Sequence, residues 1–167
     1  MVFIPRDPVM QNQFLTHDSS QGSTATAGAV VALSGDELIQ VVSGTDTLPY
    51  GFLMQNVKAE SSAHPTGFRL PGDLGSSDAF TGDPVAVAHG GLYDTTFYDT
   101  TETYAFGDLL GVTAEGKVTP ADSANKLDFD AANGINVDTQ NVVAVAQNSL
   151  DSSAVAAGQR LRIKLLV

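Results

Sequence analysis

Three histidines and a run of carboxylates are the residues here that could hold a metal or move a proton. His17, His64 and His89 are widely separated and stand in different contexts. None has the close spacing of a metal-binding histidine pair, so each reads as a surface or turn residue. Asp128, Asp130, Asn133, Gly134, Asn136 and Asp138 bring oxygen ligands together at short intervals. A calcium loop needs ligands at its first, third and fifth positions, glycine at the sixth and glutamate at the twelfth. Counted from Asp128, the fifth residue is Ala132 and the glycine comes one place late. The segment reads as a hairpin with polar edges.

Other chemistry fails on the same kind of test. With no cysteine, the chain has neither a disulfide framework nor a thiolate site. No Gly-x-Ser-x-Gly elbow or phosphate-binding glycine loop occurs. Gly72-Asp73-Leu74-Gly75 lacks the lysine and the apolar helix that such a loop requires. Many aspartates sit in turns, where they bond to nearby backbone, and nothing selects a catalytic pair from among them. The expectation is a protein without enzymatic activity, metal or cofactor.

One charge pattern stands out. Arg160, Arg162 and Lys164 alternate with Leu161, Ile163 and Leu165. On a strand this places cations on one face and aliphatics on the other. Such a stripe can be the solvated face of an edge strand, with the cations discouraging aggregation. It can also meet an acidic surface on a partner or on another copy. The chain has 19 acidic and 8 basic residues, a net charge of −11. That balance repels nucleic acid, so DNA and RNA are not expected partners. No apolar run approaches the roughly 18 residues of a membrane span, and Met1-Val2-Phe3-Ile4-Pro5 is too short for a signal-peptide core.

The elements that must carry these residues are short strands and tight turns. Gly82-Asp83-Pro84-Val85-Ala86-Val87-Ala88-His89-Gly90-Gly91 reads as turn, strand, turn. Gly107-Asp108-Leu109-Leu110-Gly111-Val112 repeats the layout, and the segment from Gly28 to Asp36 is a looser copy. Further strands are expected at Leu38 to Val42, Pro49 to Val57, Val142 to Ala146 and Leu161 to Leu165, with a hairpin about Asn133-Gly134. Gly51 should allow a close backbone approach. Ser149 to Ala157 allows a turn or two of helix. Such spacing of valine, threonine and turn residues predicts an all-β barrel or sandwich.

Two stretches fall outside this pattern. Residues 1–24 read as an extended arm: an apolar tip at Met1, Val2, Phe3 and Ile4, stiffening prolines at Pro5 and Pro8, then a polar spacer. The tip can tuck onto its own domain or reach a neighbouring subunit, since about 15 extended residues span up to about 50 Å. Residues 25–167 form the β domain, interrupted by a long polar loop at 59–81.

Pro49-Tyr50-Gly51-Phe52-Leu53, Gly82-Asp83-Pro84-Val85-Ala86-Val87, Tyr104-Ala105-Phe106-Gly107-Asp108-Leu109-Leu110-Gly111-Val112 and the terminal Leu161-Arg162-Ile163-Lys164-Leu165-Leu166-Val167 together resemble the head decoration, or cement, proteins of tailed bacteriophages. The similarity runs from about residue 28 to the end. It implies a compact β-barrel or β-tulip-like domain with no catalytic residues. It also implies a homotrimer, made in the host cytoplasm, that sits on the outer capsid surface of the virion and clamps neighbouring major capsid proteins. In that setting Met1 to Pro5 are an interface arm and Arg160, Arg162 and Lys164 an interface stripe. A phage fibre or carbohydrate-binding β module is the alternative, with Tyr93, Phe97, Tyr98 and Tyr104 as the aromatic cluster that could face a sugar.

Overall fold

The computed structural model describes residues 3–6, 11–18, 24–42, 48–59, 78–121, 128–130, 134–136 and 142–167. Within them the chain is all-β apart from one short helix. The strands are β1 (Phe3–Pro5), β2 (Gln11–His17), β3 (Val30–Gly35), β4 (Leu38–Val41), β5 (Gly51–Leu53), β6 (Asn56–Lys58), β7 (Asp78–Phe80) and β8 (Pro84–Gly90). They continue with β9 (Leu92–Thr95), β10 (Leu109–Val112), β11 (Val118–Pro120), β12 (Asp128–Asp130), β13 (Gly134–Asn136), β14 (Ala144–Ala146) and β15 (Leu161–Leu165). Helix α1 (Ser152–Ala156) precedes the last strand, and the Asp151 carboxylate caps it by accepting the Ala154 N–H.

The recurrent Gly-Asp pairs mark one repeated turn. Gly82 and Gly107 have φ of +91° and +90°. In each turn the Asp N–H bonds back to the carbonyl three residues earlier, Phe80 or Ala105. The Asp carboxylate then accepts the N–H of that same residue, at 3.2 Å for Asp83 and 2.7 Å for Asp108. A glycine supplies the left-handed third position and the aspartate locks the turn. Thr26 to Ala29 makes the same turn around Gly28, also at +91°. No aspartate follows the glycine there, and the side chain of Asn56 accepts instead the N–H of Ala27, the second residue of the turn.

These turns feed two layers. Strands β2, β4, β3, β5 and β8 close a small barrel, with β2 antiparallel to β8 and parallel to β4. Its interior is filled by Leu15, Val31, Ile39, Leu53, Val85 and Val87. The alternate residues Val30, Ala32, Phe52 and Ala88 face outward and join a second core. Strands buried on both sides need continuous apolar runs, which is why Val85 to Ala88 shows no polar alternation. The second layer is an antiparallel sheet in the order β1-β9-β15-β14-β10-β11. Tyr93, Leu110, Leu161 and Ile163 point from it into the shared core, each fully buried. The two layers are also joined through backbone, since the Val30 N–H bonds to the Gly116 carbonyl in the β10–β11 turn.

Several expectations meet a different arrangement. Residues 1–24 were expected as an arm, yet Phe3–Pro5 is an edge strand of the six-stranded sheet and Gln11–His17 closes the barrel. The physical reason is that both segments find hydrogen-bonding partners and burial within this chain. Phe3 lies between Phe52 and Tyr93, and Leu15 and His17 turn into the barrel. The single strand expected from Pro49 to Val57 is two strands. It breaks at Met54-Gln55, where Gln55 bonds to the Ala86 N–H, and β6 then pairs in parallel with β7. The loop at 59–81 gives up its end to β7, while 60–77 lie outside the described residues. The expected hairpin is present as β12–β13, but Asp130 pairs with Gly134, so Gly134 belongs to a strand rather than to the turn. Gly51 is where a close approach was expected: a Cβ there would stand 2.5 Å from Val87 Cγ1 and 2.8 Å from the Ala88 carbonyl oxygen.

Candidate interaction surface

The six-stranded sheet packs one face on the barrel, and the register fixes what its other, open face carries among the described residues. Strand β15 buries Leu161, Ile163 and Leu165 and turns Arg162 and Lys164 outward. It lies between β9 and β14, inside the sheet rather than at its edge. Edge protection therefore cannot explain these cations. Arg160 is exposed just ahead of the strand.

Two rows cross the open face. In the first, Ile4, Asp94 and Arg162 are direct cross-strand neighbours. Asp94 is buried, and its carboxylate is held by Arg162 Nε at 2.9 Å and by Arg6 Nε at 3.4 Å. The hydrogen bond and charge of Asp94 raise the Arg162 pKa, keeping the guanidinium charged. In the second row Leu92 pairs with Lys164, Lys164 with Val145, and Val145 with Leu109. The Arg6 N–H extends this row by bonding to the Leu92 carbonyl. Lys164 thus stands between half-buried aliphatics, its stem covering them and its ammonium in water. Among the described residues it forms no ion pair. Leu109 and Leu166 are exposed on this side.

The margin of the sheet beyond β11 has the opposite sign. Tyr98 bridges to Val118, and the Asp99 N–H bonds to the Val118 carbonyl, which brings the loop 99–102 alongside that edge. Asp99 closes the loop by accepting the N–H and hydroxyl of Thr101. Tyr104 anchors it from below, its hydroxyl donating to the carbonyls of Asp99 and Val118. Burial, reinforced by the charge of Asp99, pushes the Tyr104 phenol well above its ordinary range. Glu102 is exposed, as is Glu115 in the neighbouring β10–β11 turn.

The remaining candidates distribute as follows. Of the arm residues, Phe3 is buried, Ile4 half-buried and Pro5 exposed, while Met1 and Val2 lie outside the described residues. His17 is buried in the barrel, where desolvation lowers its pKa against the opposing pull of Asp18. His89 packs edge-on against Tyr50 and bonds through Nδ1 to the Tyr50 carbonyl. His64 is outside the described residues, as are the side chains of the Asp128–Asp138 segment. Among the described residues no three His, Cys, Asp or Glu side chains gather as a metal site would require. Tyr93, Phe97, Tyr98 and Tyr104 are all buried, so the aromatic cluster belongs to the core and offers no platform to a sugar. Sequence reasoning found Arg162 and Lys164 but not Arg6, Asp94, Leu92, Val145 or Leu109. Only the strand register brings those together, and no spacing along the chain announces it.

No family model matches the sequence, and no characterised protein matches it significantly. Among solved structures, the head fibre gp8.5 N base of bacteriophage phi29 superposes with a TM-score of 0.50 at 14% identity, over 95% of each chain. The likeness establishes a shared all-β fold along nearly the whole of both chains.

Proposed function

We propose that this protein is a structural component of a tailed-phage head: a decoration protein that binds the outer capsid surface as a trimer and stabilises contacts between major capsid proteins. The observation that carries the reading is the likeness to a phage head fibre base along almost the full length of both chains. The sheet face agrees with a role in contact rather than in chemistry. It offers aliphatic area, a free lysine and a fixed arginine, and no grouped catalytic side chains among the described residues. Repeated weak contacts gain avidity when several copies act together, so a trimer needs no single strong site.

The neighbour's own description favours a second reading, in which the chain is the capsid-proximal base of a fibre. Both readings place it in the virion and differ in what lies outward of it. Mass spectrometry of purified particles should find this chain in stoichiometric amounts beside a major capsid protein. A particle reconstruction then separates the two, with a low trimeric knob at threefold positions for decoration and an outward-projecting shaft for a fibre. Absence of the chain from particles would overturn both.

A further inference from the structure

We infer that the open face of the six-stranded sheet is a docking surface for a second copy of this chain, and that it receives the acidic 99–102 loop of that copy. This rests on the trimeric reading above and assigns the contact within it.

Four of the chain's eight basic residues, Arg6, Arg160, Arg162 and Lys164, fall on this face or directly beside it in a protein of net charge −11. Asp94 satisfies Arg6 and Arg162, so Lys164 is the cation of the second row left over. The exposed carboxylate of Glu102 lies at the far margin of the same sheet and likewise has no ion-pair partner among the described residues. Within one chain the two cannot meet. The loop approaches β15 only at its start, where the Tyr98 hydroxyl donates to the Gln159 carbonyl, and Lys164 stands five residues further along the strand, roughly 16 Å away and well beyond a screening length of about 8 Å at physiological salt.

A cationic patch and an acidic margin on different parts of one surface make a head-to-tail contact between copies. Contacts of that kind close into rings when the rotation between subunits allows. They also let a strongly acidic chain associate with itself, because local complementarity offsets the repulsion of the net charge. The aliphatics Leu92, Val145 and Leu109 alongside Lys164 supply the apolar area that a charge pair alone lacks.

Charge exchange tests the contact, read by analytical ultracentrifugation with thermal melts as a folding control. Lys164→Glu and Glu102→Lys should each weaken self-association by roughly tenfold or more, and the double exchange should recover most of the loss. The milder Lys164→Gln and Glu102→Gln should weaken it less, and they serve if a reversal fails to fold. Association of the natural chain should fall as salt rises toward about 0.5 M. A natural chain that is trimeric but indifferent to both reversals and to salt overturns this contact and leaves the trimer standing. A natural chain that stays monomeric up to about 100 µM overturns the trimer and the contact together, whereas absence from particles bears on the head assignment alone.

Discussion

The ring of Phe3 stacks on the ring of Tyr93, centroids 4.4 Å apart and planes 9° from parallel. Ninety residues of sequence separate the pair, and the contact seats the N-terminal strand on the sheet. Its other face lies against Phe52, at 5.8 Å. Phe3→Ala should therefore lower stability by about 2–4 kcal/mol, toward the lower part of the core range because the strand is at an edge. Phe3→Leu should cost about half as much. Urea unfolding of the three proteins checks this. A loss below about 0.5 kcal/mol for the alanine variant would show that the strand is not seated as described.

Asp94 gives a second prediction. Its buried carboxylate joins two guanidinium groups that are themselves close to half exposed, 46% for Arg6 and 40% for Arg162. Water therefore screens the pairs, and the value of a dry ion pair does not apply. Asp94→Asn should destabilise by about 1–2 kcal/mol, and Arg6→Ala by about 0.5 kcal/mol or less. A double-mutant cycle between Asp94 and Arg162 should return a larger coupling than one between Asp94 and Arg6.

The repeated turns predict a ranking. Gly82 and Gly107 need positive φ but have nothing within 4 Å of an added Cβ, so alanine there should cost about 1 kcal/mol of backbone strain. Gly28 has the same φ, and its Cβ would stand 2.8 Å from Thr95 Oγ1 and 3.1 Å from Phe97 Cβ. Gly28→Ala should be clearly worse than either. Melting temperatures of the three variants settle the order, and equal losses would contradict it.

His17 sets a pH dependence. Burial lowers its pKa below the ordinary 6.5, so the folded state excludes a proton that the unfolded chain accepts. Above pH 6.5 both states are neutral at this site and stability is full. As pH falls through that value the unfolded state is favoured, and the loss grows until the folded-state pKa is reached. Replacing His17 with glutamine should flatten the stability profile between about pH 5 and 7 relative to the natural protein. Parallel profiles for the two proteins would mean that the site titrates alike in both states.

What could be read from the sequence followed what is local. The Gly-Asp turns, strand β15 and the short helix are specified by residues within a few positions of one another. The N-terminal strands were not legible, because Gln11 to Thr16 is polar apart from Phe14 and Leu15, and of these two only Leu15 is buried. It becomes a strand only by pairing with β8, some seventy residues away. The same limit applies to the interaction surface. Alternation announced that Arg162 and Lys164 share a face, but alternation cannot say that Asp94 and Val145 stand beside them. Nor could it reveal that β15 is interior to its sheet.

That interior position has a consequence for how the protein is made. A chain emerging from the ribosome presents β1 first and β15 last, yet β15 separates β9 from β14 in the finished sheet. Strand β1 must wait for β9, and β9 stays bare on one side until β15 has emerged. Pairings this distant carry a large loop-closure cost and slow the search for the native state. Assembly of the sheet is thereby deferred until β15 has been made, and a chain without residues 161–165 lacks the middle of its sheet rather than its rim.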